Sequence, residues 1–297
     1  GISIELNVAD CYWCTRLSGE RKELIKDIVK GRKRPKANEV ATPLVVADVF
    51  CGAGAVCMLL AKKIKDQDKA WQPDEKQPQP KKQQEHPSLT ILANDWNPKA
   101  IEYMKRSIAT NGMEQDNSYH KFDLSCRDSY DFLSELGEEK QTSKANPYIK
   151  KKQKSTTDDT KPPLMPDHVL MNFPLEAPQF LGAIRWWSWK RLRDEAKKHN
   201  SKEWAPRFHV YTFAWASSPR ANDEEEMAIN LVANELLPVQ QDFDDKNNAH
   251  RRTELDEEFE TKFSTRLVRD VAPGKVVVCV SFSVTPKLIR YMQGDFS

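Results

Sequence analysis

Residues 44–64 constrain the fold more than any other stretch of the chain. Leu44 to Phe50 is an apolar run of strand length, it ends in Cys51-Gly52-Ala53-Gly54, and Ala55 to Ile64 follows at once with helical character. A strand, a tight glycine turn and a helix in immediate succession form the opening of a βαβ unit. The alternation continues downstream. Leu89 to Ala93 reads as a second strand with a helix from Pro98 to Asn111, and His168 to Asn172 as another, with a long helix from Glu176 to about Lys198. Phe208 to Phe213 and Lys275 to Val284 complete the strands visible by pattern. Such a chain is expected to build an α/β fold, an open and mostly parallel twisted sheet with helices on both faces. Ligands of these sheets bind beyond the carboxyl ends of the strands.

The 297 residues are 30% charged and 39% hydrophobic, too polar for every segment to join a core. Three stretches account for the excess: about 65–87, rich in Gln, Lys and Pro; about 137–166, with the run Lys150-Lys151-Lys152-Gln153-Lys154; and about 240–260, acidic and amide-rich. They are expected to be mobile insertions, cut first by a protease. The formal charge of +2 excludes a uniformly basic protein, so nucleic-acid contacts must come from local patches. Arg32-Lys33-Arg34-Pro35-Lys36 is one candidate, and the mixed stretch Arg185 to Arg193 is another. In the latter, Phe180, Ile184 and Trp187 recur at helical spacing, so part of the stripe and Trp187 in particular read as core, while Trp186 and Trp189 are open to either reading. No apolar run reaches membrane-spanning length, so no membrane partner is expected. Cys11 and Cys14 form a C-x-x-C without a second ligand pair, so reduced cysteines, no metal and an intracellular setting are expected. The first residues, Gly1 and then the strand-like Ile2 to Leu6, suggest a fragment of a longer protein.

The chemistry gathers where the strands end. Gly52 and Gly54 permit close backbone approach to a ligand, although a G-x-G alone also suits dinucleotide binders and ordinary turns. The second strand ends in Asn94-Asp95-Trp96-Asn97-Pro98, which puts an acid where ribose hydroxyls would be held. The tight Asp48-Val49-Phe50-Cys51-Gly52-Ala53-Gly54 pattern lacks a third glycine, which favours S-adenosylmethionine over NAD. A structural turn capped by Asp95 is the bland alternative. After the strand ending at Met171 comes Asn172-Phe173-Pro174, and Pro174 should leave nearby carbonyls open to a base edge. The same residues could equally make an ordinary strand-to-helix turn.

Taken in order, these blocks resemble the archaeal and eukaryotic tRNA (guanine-37-N1)-methyltransferases. Tyr12-Trp13-Cys14-Thr15-Arg16-Leu17-Ser18-Gly19-Glu20-Arg21 resembles that family's Tyr-aromatic-x-x-Arg-Leu-x-x-Glu lead-in. The glycine loop, the Asn94–Pro98 block, Asn172-Phe173-Pro174 and the closing stretch from Val268 to Phe282 are similar to its remaining motifs. The resemblance implies a class I (Rossmann-like) methyltransferase fold with a lead-in over 1–40 and a cofactor-binding catalytic domain over 41–297. It implies transfer of a methyl group from S-adenosylmethionine to N1 of guanosine 37, with the tRNA anticodon stem-loop as partner and a monomeric protein. Glu20 matches the family's general base. Arg21 falls near the cofactor's carboxylate, Asp48, Gly52, Gly54 and Asp95 with Trp96 around the nucleoside, and Asn172 and Pro174 around the target base and methyl group. Tyr12 and Arg16 match contacts to the extruded nucleotide. One departure concerns the adenine: Ser125 occupies the family's acidic place beside Cys126, and Asp123 is the possible substitute. The family also carries a catalytic arginine ahead of the lead-in, so a chain beginning at Gly1 is expected to bind cofactor yet methylate feebly or not at all by itself. Two other activities fit the same fold: aminocarboxypropyl transfer in wybutosine synthesis, and RNA binding without catalysis.

Overall fold

The computed structural model describes residues 1–30, 32, 43–71, 88–114, 119–139, 164–199, 203–216, 223–238 and 255–295. They fall into two compact units, Gly1–Arg127 and Asp128–Ser297. The basic residues 33–36 and 150–154, and the greater part of the three presumed insertions, lie outside the described residues.

In the first unit, β1 (Leu44–Asp48), β2 (Leu89–Asn94) and β3 (His120–Ser125) pair in parallel in the order β3-β2-β1. Register aligns Val46 with Ile91 and Ile91 with Phe122. All six residues of β2 are buried, as expected for a parallel strand covered on both faces. Three helices accompany these strands: α1 (Ser18–Val29), α2 (Ala55–Trp71) and α3 (Pro98–Thr110). Each buries an apolar stripe: Leu24, Ile25 and Ile28 from α1, Met58, Leu60 and Ile64 from α2, Ala100 and Met104 from α3. Helix α3 starts where Asn97 accepts the Lys99 N–H at 2.9 Å and Pro98 takes the first helical position. Helix α2 runs seven residues beyond Ile64, so the first insertion begins later than its composition suggested. Lys62 and Asp66 form an i,i+4 ion pair across that point, which supports the exposed face of the helix.

In the second unit, β4 (His168–Met171) and β5 (Arg207–Trp215) are parallel, and β7 (Lys275–Ser283) and β6 (Ser264–Ala272) continue antiparallel in the order β4-β5-β7-β6. Strand β7 is buried at every position between its ends, whereas β6 is partly exposed throughout and carries two register irregularities. That is the ordinary contrast between a central strand and an edge blunted by bulges. Helices α4 (Ser129–Gly137), α5 (Trp189–Lys198), α6 (Glu224–Asn234) and α7 (Pro286–Met292) complete the unit.

The long helix expected from Glu176 to Lys198 is instead two elements: a 3-10 segment over Ala177–Trp186, then α5. Between them Trp187 turns extended, at φ −68° and ψ 142°. Its indole is completely buried, lies 5.6 Å from Phe208 between ring centroids, and donates Nε1–H to the Leu133 carbonyl at 2.8 Å. Ser188 then caps a fresh helix by accepting the Arg191 N–H. Burying one indole and gaining a cap outweighs continuing the helical run. The core reading of Trp187 is therefore correct. Trp186 is half-buried and donates to the Tyr130 hydroxyl at 3.3 Å, and Trp189 sits within 5.6 Å of Lys190, Arg193 and Arg290. The presumed insertion 240–260 also ends in structure, with a helical turn at 255–259 that buries Leu255. Among the described residues no helix is long and apolar enough to cross a membrane.

Candidate functional site

The first unit builds its site at the carboxyl tips of β1 and β2. Gly52 and Gly54 have φ of +53° and +83°, a left-handed backbone that favours glycine. A side-chain carbon on Gly54 would also meet Met104 Cγ at 2.8 Å. Asp95 stands beside this loop. Its Oδ2 accepts the Gly52 N–H at 2.8 Å and its Oδ1 accepts the Asn97 N–H at 2.9 Å. Burial raises the Asp95 pKa, and the two backbone N–H groups counteract part of that rise. Each carboxylate oxygen keeps a second lone pair for a ligand hydroxyl. Next to it the Trp96 ring is 78% exposed, unusual for an indole and suited to stacking.

Asn94, to which no role was attached by sequence reasoning, knits the strand tips together. It is fully buried, donates to the carbonyls of Val49 and Arg127, and accepts the Ser125 hydroxyl at 2.7 Å. The Ser125 proton is thus engaged in holding Asn94. Asp123 is exposed on β3, and Cys126 is exposed with its thiol 3.7 Å from the Trp96 carbonyl. A buried amide one residue before a candidate acid was the available signal for Asn94.

Asp48 is only 4% exposed and braces the loop from below, accepting the Cys57 thiol at 3.4 Å. Burial pushes its pKa up to about 7, against which the Cys57 thiol and the Phe50 N–H pull, while the charge of Asp95 raises it further. A carboxyl whose pKa is raised on folding contributes stability that is full below the ordinary carboxylate range and is lost as pH rises through about 7. Asp48→Asn, which keeps an acceptor for Cys57, should therefore gain melting temperature over the parent at pH 8, with the gain shrinking toward pH 5. Thermal unfolding of both proteins across that range is the check; an equal difference at pH 5 and pH 8 would show that Asp48 does not titrate there.

The lead-in belongs to the same unit and is tied to it at several points. The Asp10 carboxylate accepts the Tyr103 hydroxyl at 2.7 Å, and the Asp10 carbonyl accepts the Asn97 side chain at 2.6 Å. Cys11 is buried with Ala53, Ala100 and Tyr103, with Ile4 and Leu6 packed against the cluster. Ser3 exchanges backbone hydrogen bonds with the Asn111 side chain. From this anchored segment Tyr12, 73% exposed, and the exposed Arg16 project outward. Glu20 is half-buried in the first turn of α1. The Arg21 guanidinium lies 4.8 Å from the centre of the Trp13 ring and donates to the Cys14 carbonyl at 3.1 Å, so it braces the lead-in loop. Asn97 carries a local helix-cap signature, but its bond to Asp10 and the bond of Asp10 to Tyr103 link residues distant in sequence.

In the second unit, Asn172-Phe173-Pro174 follows β4 as expected, with Asn172 and Pro174 half-buried. The carbonyls expected to be open are in use. Phe173 O accepts the Glu176 and Ala177 N–H groups, and Pro174 O accepts the Phe213 N–H at 3.2 Å. The turn uses those acceptors for its own closure. Among the described residues no group of three or more metal-ligating side chains is present.

The residues of the first unit fit an adenosine-bearing ligand: an acid at the ribose position, an open indole beside it and a left-handed glycine loop. No family model matches the chain. It is 37% identical over 95% of its length to "tRNA (guanine(37)-N(1))-methyltransferase 2" of Phaeodactylum tricornutum, of which it covers 42%. It is 25% identical over 98% of its length to "tRNA (guanine(37)-N(1))-methyltransferase 1" of Vitis vinifera, covering 32% of that protein. Among solved structures, Trm5b of Pyrococcus abyssi aligns with 96% of this chain and 54% of its own at 19% identity and a TM-score of 0.49. The chain thus spans under half the length of the curated relatives it matches. In sequence, this chain is similar over 95% of its length to a tRNA (guanine(37)-N(1))-methyltransferase.

Proposed function

We propose that this chain is the S-adenosylmethionine-binding catalytic portion of a methyltransferase that modifies N1 of guanosine 37 in tRNA. The observation that carries this reading is the Asp95 carboxylate bound to the Gly52 N–H at the tip of β2, in a chain related over 95% of its length to an enzyme named for that reaction. When bound, S-adenosylmethionine supplies an electrophilic methyl group. Asp95 holds the ribose hydroxyls, Trp96 covers the adenine, and the loop at Gly52 and Gly54 admits the rest of the cofactor close to the backbone.

The guanine N1–H is a weak acid, so the nitrogen must lose its proton as the methyl arrives. Glu20 is the proposed acceptor, held in the first turn of α1. Asn172 reads the base edge with Pro174 fixing the turn, and Tyr12 and Arg16 meet the extruded nucleotide and its phosphate. A monomer bound to the anticodon stem-loop is the simplest assembly. Glu20→Gln should leave S-adenosylmethionine affinity within about twofold while slowing methyl transfer by about 100-fold or more, the usual contribution of a positioned general base. Calorimetry and single-turnover transfer to unmodified tRNA measure the two quantities, with product mass separating a methyl from an aminocarboxypropyl group. A Gln variant as fast as the parent would remove Glu20 from the chemistry, and a labelled product other than N1-methylguanosine would remove the function.

A further inference from the structure

The second unit carries an aromatic shelf at the end of β5. Phe213 and Trp215 lie two residues apart on β5 and so on one face of the strand. Trp215 is the last residue of β5 and 49% exposed. Its register partner on β7 is Lys275, whose Nζ reaches back over the Phe213 ring, 4.1 Å from its centre. Lys275 makes no ion pair among the described residues.

Strand β4 ends at Met171, paired with Val210, whereas β5 runs five residues further to Trp215. The extension lies alongside the turn after β4, which the Phe213 N–H bond to Pro174 O fixes in place. That turn adds two exposed apolar side chains, Phe173 at 37% and Leu175 at 64%. A half-open indole, a second ring beneath a cation and an apolar margin thus stand next to the Asn172-Phe173-Pro174 turn. An isolated exposed aromatic needs no explanation, but this grouping has the composition of a single-stranded nucleic-acid platform: flat rings for a base and one cation for the adjoining phosphate.

We infer that Trp215 stacks against an unpaired base of the RNA substrate while Lys275 contacts the phosphate beside it. This rests on the tRNA-methylation reading and deepens it by naming a substrate-positioning surface whose Trp215 and Lys275 are given no role by the resemblance. Stacking and charge leave different signatures. Loss of one stacked base should weaken RNA binding roughly tenfold with little change in salt dependence. Loss of one phosphate contact should weaken binding and lower the slope of log K against log salt by about 0.7.

The test is fluorescence anisotropy of the full chain with a fluorescein-labelled RNA stem-loop bearing an unpaired loop, at several salt concentrations. S-adenosylmethionine binding by calorimetry on the same samples reports that the variants are folded. Trp215→Leu should lose the affinity and Trp215→Phe should recover most of it, since leucine keeps apolar bulk without a π face. Lys275→Ala should change the slope. If the parent binds RNA and all three variants match it, the shelf is overturned while the functional reading stands. If Leu and Phe weaken binding equally, stacking is overturned. If the parent binds S-adenosylmethionine but no RNA, both the shelf and the tRNA reading fall.

Discussion

Gly137→Ala should destabilise the second unit by about 3 kcal/mol or more, among the largest effects open to a single methyl group in this chain. Gly137 is the last residue of α4, and a side-chain carbon built there meets three atoms of the Trp187 ring at 2.1–2.6 Å. No shift of a flexible tip relieves this, because the indole is completely buried and its Nε1–H is held by Leu133 O at 2.8 Å. Phe208 lies 5.6 Å away on one side, itself stacked on Phe282 at 5.4 Å, so retreat of the indole would displace a chain of packed rings. The Trp187 carbonyl also accepts the Gln293 side chain, which ties the same residue to the end of α7. Urea denaturation gives the number. Gly182→Ala is the control, since a carbon there meets only Tyr130 Cε2 at an ordinary 3.9 Å and alanine restricts the unfolded chain. If Gly137→Ala unfolds within about 0.5 kcal/mol of the parent, no more than a surface substitution usually costs, the predicted clash with the indole is overturned.

Gly137 also shows where sequence reading stops. By composition it opened a polar insertion, and nothing local says that a tryptophan fifty residues later rests on it. The parallel strands β1 and β2, and the central β7, were legible because burial on both faces makes them unbroken apolar runs. Edge strand β6 was not, because partial exposure and bulges erase its alternation. Helix α4 carries a readable sign in Asp128, whose carboxylate accepts the Tyr130 and Asp131 N–H groups as an N-cap. The break at Trp187 is a tertiary effect that helical periodicity cannot register. At the site, the motif residues at the tips of β1 and β2 were legible because chemistry restricts their type and spacing. The residues that hold them, Asn94, Asp10 and Cys57, act across 31 to 93 positions or from beneath the loop, and only folding reveals their partners.

Asp95→Ala is expected to lower S-adenosylmethionine affinity by about 2–4 kcal/mol, roughly 30- to 900-fold. Two losses combine. The ribose loses a charge-assisted acceptor, and the Gly52 and Asn97 N–H groups, now bound at 2.8 and 2.9 Å, lose theirs. The second loss reaches further than the ligand contact, because Gly52 holds the left-handed turn at φ +53° and Asn97 starts α3 while gripping Asp10 of the lead-in. A loosened loop must be reordered at each binding event, so part of the penalty appears as entropy of ordering. Asp95→Asn should rescue only in part. An amide offers one oxygen, so its NH₂ must face either the Gly52 or the Asn97 N–H, donor against donor. The order parent, Asn, Ala in calorimetric affinity is therefore the expected result, with a lower melting temperature in both variants even without ligand. Affinity of the alanine variant within twofold of the parent would mean that the β2 tip only closes the glycine turn, and the ribose would have to be sought elsewhere.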